Sequence, residues 1–464
     1  MSLRPRAPLT EAPVMRSIAG AGLANLLTSV ILVARNLLDG YYAARVSTDA
    51  LASFALVIPV IMLLIGLSHG VSVAAGNVLT TRSGKGTPPT PAFVCHAVVT
   101  ALGTGLVLAA LLGAAAPVAI DLYGAAPEIR EHALTLAMWL IMGMPVLFLY
   151  GVLTALLRAL GDAAGAARAA TAGLLIGVAV TPLLVFLVPP FPDAPLVGIA
   201  LGLQVGYALT SVLVAVRLKR HGLLGGRPDK ATFRSDLTEF ARRGLPVAMT
   251  NLVTLGAAFG VTGVMAQAGR EATAAFGVVS RLDLFPLTVV NAIVLAVVPF
   301  VGHNFGAGNK DRVRRGITAA LTLMLCSWAV LGTILAVAAP TVARLFGLTG
   351  GTAAMATDWL RLSALAFFFQ GVTMTSIALL QVMERPRTAL LANIAYLYAL
   401  QLPWLVFLAD GGTEGLYRAV AGSQIVAGSA FLLVGAWLLL RRSRMAHMST
   451  EGGNGNVPEV QSAG

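Results

Sequence analysis

An acid and a base one helical turn apart, Asp39 and Arg35, lie near the end of a largely apolar stretch covering about residues 17–43. A carboxylate at membrane depth is costly unless it meets water or a partner, so Asp39 is the first candidate for ion-coupling chemistry. A carboxyl whose access to water alternates can be loaded with a proton on one side and unloaded on the other. Arg35 sits at i−4, within reach of an intrahelical ion pair, and would compete with any other cation for that carboxylate. Two plainer readings stand beside this one: a purely structural Arg35–Asp39 pair, or an Asp39 simply solvated near the surface.

The helix that carries these groups is itself informative. Counting back from Asp39 in steps of three and four gives Asn36, Arg35, Leu32, Thr28 and Asn25, a polar stripe broken only at Leu32. On a helix surrounded by hydrocarbon such a stripe must face protein or water. A transport pathway lined by the first helix follows.

Composition sets the class. The chain has 464 residues, 57% apolar and 11% charged, where soluble domains carry about 25% charged residues. Apolar blocks fall at about 17–43, 50–75, 92–119, 132–157, 169–189, 196–216, 244–267, 274–302, 316–340, 359–383, 389–409 and 415–440. Each approaches or exceeds the roughly 20 residues that cross a bilayer as helix. The expected fold is an all-α polytopic membrane protein of twelve transmembrane helices. The net charge of +12 would suggest nucleic acid in a soluble protein. Here the basic residues lie between apolar blocks and report topology instead, so no nucleic-acid partner is expected.

With the N-terminus placed in the cytoplasm, 24 of the 32 Lys and Arg residues fall on that side, among them Arg82, Lys85, Arg158, Arg168, eight between Arg217 and Arg243, and Arg441, Arg442 and Arg444. The opposite gaps hold acids: Asp121, Glu128, Glu131, Asp193, Asp410 and Glu414. The bias predicts a multi-pass plasma-membrane protein with both termini cytoplasmic. No secretory leader is expected, because the first apolar block can span by itself. Cys95 and Cys326 lie inside apolar blocks with no metal-ligand spacing, and read as small buried hydrophobes. No phosphate-binding glycine loop is present, which argues against an ATP-driven motor in this chain.

The chain repeats itself. Asn25-Leu26-Leu27-Thr28 is echoed by Asn251-Leu252-Val253-Thr254, 226 residues on; Asp49–Phe54 by Glu271–Phe276; and Gly76 by Gly302. Three matches in order at nearly one offset predict two parallel six-helix halves, related by a pseudo-two-fold along the membrane normal with a central site between them. The expected divisions are a cytoplasmic segment 1–16, an N-lobe 17–216, a basic cytoplasmic linker 217–243, a C-lobe 244–440 and a disordered tail 441–464.

Other strings then become recognisable. Gly244-Leu245-Pro246, Ala274-Ala275-Phe276-Gly277 with Arg281, the run Val301-Gly302-His303-Asn304-Phe305-Gly306-Ala307-Gly308, Leu157–Asp162 and Gly66–Gly70 occur in order along nearly the whole chain. Together they resemble the multidrug and toxic compound extrusion (MATE) family. The resemblance implies cation-coupled efflux of organic compounds, with a first-helix Asp carrying the coupling; Asp39 stands within a one-residue gap of that position. His303 replaces the family's usual Gln, and Ala44 replaces its Gly. The acids that some members carry in the second half correspond here to Thr254 and to the neighbourhood of Gln370, so a C-lobe coupling carboxylate at those places is absent. Asp39 is the best coupling group left, with a proton favoured over sodium as the coupling ion and no other cofactor.

The remaining candidates line the expected cavity. In the second half, Asn251, Thr254, Ala258, Thr262 and Met265 form the stripe equivalent to that of the first helix, with Met265 in the place of Asp39. Hydroxyl, amide and thioether groups suit amphiphilic cargo, and hydrogen bonding between helices is the plainer reading for each. Asp283 is a second intramembrane acid, two residues from Arg281 and therefore not facing it. Tyr42 offers an aromatic face to an organic cation, or an interfacial anchor. The expected function is secondary efflux of small organic compounds by a monomer in the lipid bilayer. A lipid-linked oligosaccharide flippase is the alternative; it would line the cavity with several cations, and only Arg35 fits that role here.

Overall fold

The computed structural model describes residues 9–122, 124, 126–188, 194–408 and 412–451, with no side-chain description for 412–414 and 436–451. Asp193 and Asp410 lie outside the described residues, as does the end of the chain from 452 onward.

Twelve helical units follow in order: α1 (Val14–Val46), α2 (Thr48–Gly84), α3 (Pro91–Asp121), α4 (Pro127–Met142 and Met144–Ala159), α5 (Ala163–Leu187), α6 (Val197–Arg220), α7 (Lys230–Gln267), α8 (Arg270–Gly306), α9 (Lys310–Leu345), α10 (Gly350–Val382), α11 (Pro386–Phe407) and α12 (Gly412–Glu451). Polar residues start many of them. The side chains of Ser47, Thr90, Asp162, Asp229 and Asn309 each accept a backbone N–H two or three residues on, which satisfies orphan donors at the membrane edge.

Eleven units are long and apolar enough to span, and α4 makes a twelfth only as a pair of segments bent by 45°. The break falls at Gly143, followed by Pro145, whose missing N–H cannot continue the ladder. In α5 the stretch Leu183–Leu187, just after Pro182, loosens into a π-helix, and in α11 Ala395–Gln401 does so just before Pro403.

Side chains pack into three apolar groups. Val57, Val78, Phe148, Leu156 and Val214 centre the N-lobe, α1–α6. Met265, Ala275, Trp359, Leu360 and Tyr417 centre the C-lobe, α7–α12. A third group crosses between them: Ile18 of α1 packs with Ile293 and Phe300 of α8, Ala319 of α9 and Leu379 of α10. The lobes are therefore joined through α1 and α8, and through α2 with α7.

Three expectations are corrected here. Residues 217–243 are not a free linker, since α6 runs to Arg220 and α7 begins at Lys230, leaving a short connection. The spacing of Phe233, Leu237 and Phe240 provides an apolar helical face there, and Phe240 is buried against Phe93. The helix of α12 continues through Glu451, so the tail is helical for eleven residues beyond 440 before Gly452 and Gly453. Cys326 is exposed and Cys95 half-buried, because a bilayer shelters apolar side chains that the protein leaves uncovered.

Close approach of α5 and α6 depends on glycine. A Cβ on Gly202 would lie 2.1 Å from Thr181 Oγ1 and 3.0 Å from its Cα, and one on Gly173 would lie 2.6 Å from the Gly206 carbonyl. Gly202→Val is expected to lower N-lobe stability by about 1–3 kcal/mol, the range for overpacking. A thermal melt of purified protein in detergent, read by aggregation or tryptophan fluorescence, checks this.

Candidate functional site: a buried charge pair and the cleft between lobes

Asp39 and Arg35 project from α1 into the N-lobe rather than toward lipid, 5% and 1% exposed. Arg35 Nε lies 3.3 Å from Asp39 Oδ2, and Arg35 Nη2 donates to Thr181 Oγ1 of α5 at 3.2 Å. Arg35 Nη1 is buried with no hydrogen-bond partner. It rests against Gly177, where a Cβ would come within 2.8 Å of it, so the glycine of α5 makes room for the guanidinium. Leu32, Arg35, Asn36 and Asp39 share a cavity with Phe54 of α2, Leu140 of α4 and Tyr207 of α6. Its volume is about 20 Å³. One ordered water needs roughly 10–15 Å³, and a drug-sized ligand 300–1,000 Å³. This chamber fits a water or a small ion, not cargo.

The stripe divides between two surroundings. Thr28 faces α5, contacting Thr171 Oγ1 at 3.0 Å and lying within hydrogen-bond reach of the Ala167 carbonyl. Asn25, 2% exposed, keeps Nδ2 unpartnered. Asn36 is exposed, its amide turned back to the Leu32 carbonyl at 3.2 Å. Tyr42 packs edge-on against Phe186, its ring centroid 6.0 Å away, outside the chamber.

Across the cleft, Asn251 Nδ2 donates to the Gly66 carbonyl of α2 at 3.3 Å, a direct link between lobes. One turn further on, Thr254 accepts from Asn393 Nδ2 at 3.0 Å and is exposed, and Thr262 beyond it is exposed. Met265 is corrected: it is 0% exposed and packs within the C-lobe core with Val261, Ala272 and Ala275 instead of facing the opposite lobe. An apolar side chain at that depth gains more from packing than from the cleft, which the offset from Asp39 did not reveal. Gln370 is half-buried without a hydrogen bond among the described residues. Asp283 turns into the C-lobe, accepting hydrogen bonds from Ser363 of α10 and Tyr417 of α12; Tyr417 stacks on Trp359 with centroids 4.9 Å apart. Asp39 and Asp283 thus belong to separate lobes.

The lobes meet tightly at the basic end. Cβ atoms on Gly84 and Gly306 would clash with the His303 and Thr81 carbonyls, at 2.2 and 2.3 Å. Charges close the same end. Arg82 pairs with Asp236 at 2.7 Å and Glu239 at 2.5 Å; Arg243 pairs with Glu239 at 2.6 Å and Glu384 at 3.0 Å; Lys85 pairs with Glu384 at 3.1 Å. His96 Nδ1 contacts Asp236 Oδ2 at 2.7 Å while its Nε2 accepts the Asp229 N–H. This cluster escaped the sequence reading, which counted Arg82, Lys85 and Arg243 as topology signals and did not single out Asp236, Glu239, Glu384 or His96. The spacing of Asp236, Glu239 and Arg243 along one helical face was the available clue. From Gly66–Asn251 to the basic end the lobes touch, while Thr254, Ala258 and Thr262 beyond it stay exposed.

Two six-helix lobes held together at their basic end, with a charge pair buried in one of them, are the architecture of a membrane transporter. The MatE family pattern matches residues 24–183 and again 246–406, and the chain belongs to that family; it is a transporter and not an enzyme. It is 27% identical over 449 residues to a FAD transporter of Shewanella oneidensis, covering 92% of this chain and 96% of the relative. It is 21% identical over 398 residues to the multidrug export protein MepA of Staphylococcus haemolyticus, covering 83% and 85%. Its fold superposes with TM-score 0.86 on an outward-facing structure of a multidrug resistance MATE family transporter, at 20% identity over 95% of this chain and 99% of the other.

Burial works to raise the Glu384 carboxyl, but the Lys85 hydrogen bond and the Arg243 charge outweigh it and hold the group below the ordinary glutamate value. Its contribution to closure is complete above that ordinary value and is lost as pH falls through the lower folded one. Because Glu384 and Lys85 are partly exposed, the gain is small. Arg243, 5% exposed, is the central cation. Arg243→Ala is expected to cost the closed arrangement on the order of 3 kcal/mol. Spin-label distances between α2 and α7 at the basic end should lengthen in that variant and in wild type at acidic pH.

Proposed function

We propose that this chain exports small organic compounds, cationic or amphiphilic, in exchange for protons, with Asp39 as the coupling carboxylate. The observation that carries the reading is the 20 Å³ chamber holding Asp39 against Arg35. Cargo of drug size does not fit this chamber, so on this reading ion and cargo are handled in different places, the cargo between the lobes. Asn36, Asn251, Thr254 and Thr262 offer the cleft its polar contacts, with Gln370 and Asp283 deeper in the C-lobe.

Electrostatics favours the proton over sodium. Unit charges about 4 Å apart interact by roughly 4 kcal/mol at an effective dielectric of 20. A sodium ion beside Asp39 would lose to Arg35 much of what it gains from the carboxylate. A proton bonds to the carboxylate oxygen itself and releases the guanidinium. The freed Arg35, with Nη1 already unpartnered, then has donors for another acceptor. That supports a second reading, in which the cargo carries an anionic group, as FAD does, in line with the relative named as a FAD transporter. A lipid-linked oligosaccharide flippase remains the alternative of a different class; the chamber's single, already paired cation argues against it. The protein works as a monomer in the plasma membrane with both termini cytoplasmic.

Proteoliposomes under an imposed proton or sodium gradient test these readings, with ethidium and FAD as cargo. Wild type should move cargo with the proton gradient, and Asp39→Asn should reduce that flux tenfold or more. Flux unchanged by Asp39→Asn removes the residue from coupling, and flux indifferent to both gradients rejects antiport. Arg35→Gln should let a sodium gradient drive transport, because the competing cation is gone. Movement of FAD but not ethidium selects the anionic cargo.

A further inference from the structure

A groove of about 450 Å³ lies at the basic end of the bundle, between the start of α1 and the first three turns of α9. It is remote from the chamber and from the cleft. The α9 wall is a single helical face: Asp311, Arg315, Thr318 and Thr322 follow at steps of three and four, with Arg314 beside them. Val14 and Met15 form the α1 wall.

The wall is fixed in place by a neighbouring arginine. Arg312 donates to the Leu9 carbonyl at 3.2 Å, the Ala12 carbonyl at 2.5 Å and Asn304 Oδ1 at 3.1 Å, which pins the segment before α1 onto α8 and α9. Arg314 and Arg315 have no such employment. Both are exposed, and neither takes an ion-pair or hydrogen-bond partner among the described residues, including Asp311 four residues before Arg315. Two free guanidinium groups therefore stand at the mouth of a preformed groove.

Below them the same face changes character. Thr318 and Thr322 are exposed hydroxyl positions whose successors on the stripe, Leu325 and Ala329, are exposed and apolar; Leu325 is 49% exposed. The order along the membrane normal is cation, hydroxyl, hydrocarbon. That is the order of groups needed to meet phosphate, glycerol and acyl chain. A free anion would use only the mouth. The chain's own first residues carry Arg4 and Arg6 and would meet Arg314 and Arg315 with like charge.

We propose that this groove binds one anionic phospholipid, its phosphodiester between Arg314 and Arg315 and an acyl chain along α9 past Thr322 and Leu325 against Met15. Because α1 belongs to the N-lobe and α9 to the C-lobe, the bound lipid bridges the lobes at their closed end. Basic contacts of this kind tether protein to anionic headgroups.

The test uses purified full-length protein, delipidated in neutral detergent and titrated with dioctanoyl phosphatidylglycerol, with bound lipid counted by native mass spectrometry. One saturable site is expected. Arg314→Ala/Arg315→Ala should weaken it about thirty-fold, two basic contacts' worth. Arg314→Lys/Arg315→Lys should retain most of the affinity, and Arg385→Ala/Arg387→Ala, an exposed pair at another basic turn, should leave it unchanged. Equal binding of phosphatidylcholine, or affinity unaltered in the Arg314/Arg315 alanine variant, overturns the proposal. Full competition by glycerophosphate at equal concentration assigns the mouth to a free anion and also overturns it. So does a site that appears only after residues 1–8 are deleted, which would make the chain's own N-terminus the occupant.

Discussion

Everything near the chamber follows from placing a guanidinium and a carboxylate where neither can reach bulk water. Arg35 and Asp39 are each at most 5% exposed, yet 3.3 Å apart. Removing one charge from such a pair costs far more than the pair itself gains, because the survivor is left unbalanced. The surrounding chain is shaped to keep both. Gly177 yields space to Nη1, Thr181 supplies an acceptor to Nη2, and the close approach of α5 and α6 through Gly173, Gly202 and Gly206 brings that acceptor within reach. A larger residue at Gly177 would displace the guanidinium, since a Cβ there would come within 2.8 Å of Nη1.

The two lobes share a plan but not a chemistry. In the N-lobe an acid faces a cation across a water-sized chamber. In the C-lobe Asp283 is held by neutral donors, Ser363 and Tyr417, beneath the stacked Trp359. A carboxylate balanced by a fixed positive charge changes its surroundings when it takes a proton, since it sets that charge free. A carboxylate held by hydroxyls loses one acceptor and leaves no charge behind. The two acids are not repeat equivalents, since Met265 stands in the place of Asp39 and Val57 in that of Asp283, so the lobes are chemically unequal.

Sequence periodicity and charge were enough for the twelve helical units and the two halves, because each rests on local spacing or on composition; the i, i+4 spacing put Arg35 within reach of Asp39 but left open whether the pair is buried or solvated. The pairing of Arg82 with Asp236, or of Lys85 with Glu384, spans more than 150 residues and leaves no local trace. Asp236, Glu239 and Arg243 looked like part of a basic linker because their segment is polar, and only packing against α2 and α3 makes it a helix with a buried face. Met265 failed for the opposite reason. The offset aligns the helices and their rotation, since Asp39 and Met265 each face into their own lobe, but an apolar thioether packs into the core where the ion pair keeps a chamber.

The two ionic features differ in what it takes to open them. The cluster at the basic end mixes buried Asp236 and Arg243 with Lys85 and Glu384, which remain partly solvated. Partly exposed pairs contribute about 0–1 kcal/mol each, and water can replace them one at a time. The Arg35–Asp39 pair has no such route, since the chamber admits about one water and no counterion of cargo size. Under the proposed coupling it exchanges partners only when a species small enough to enter neutralises the carboxylate, and a proton is the smallest. A soft latch between the lobes and a hard pair inside one of them therefore open by different means: water can replace the partly exposed pairs of the latch, while only a species of water size or smaller enters the N-lobe chamber.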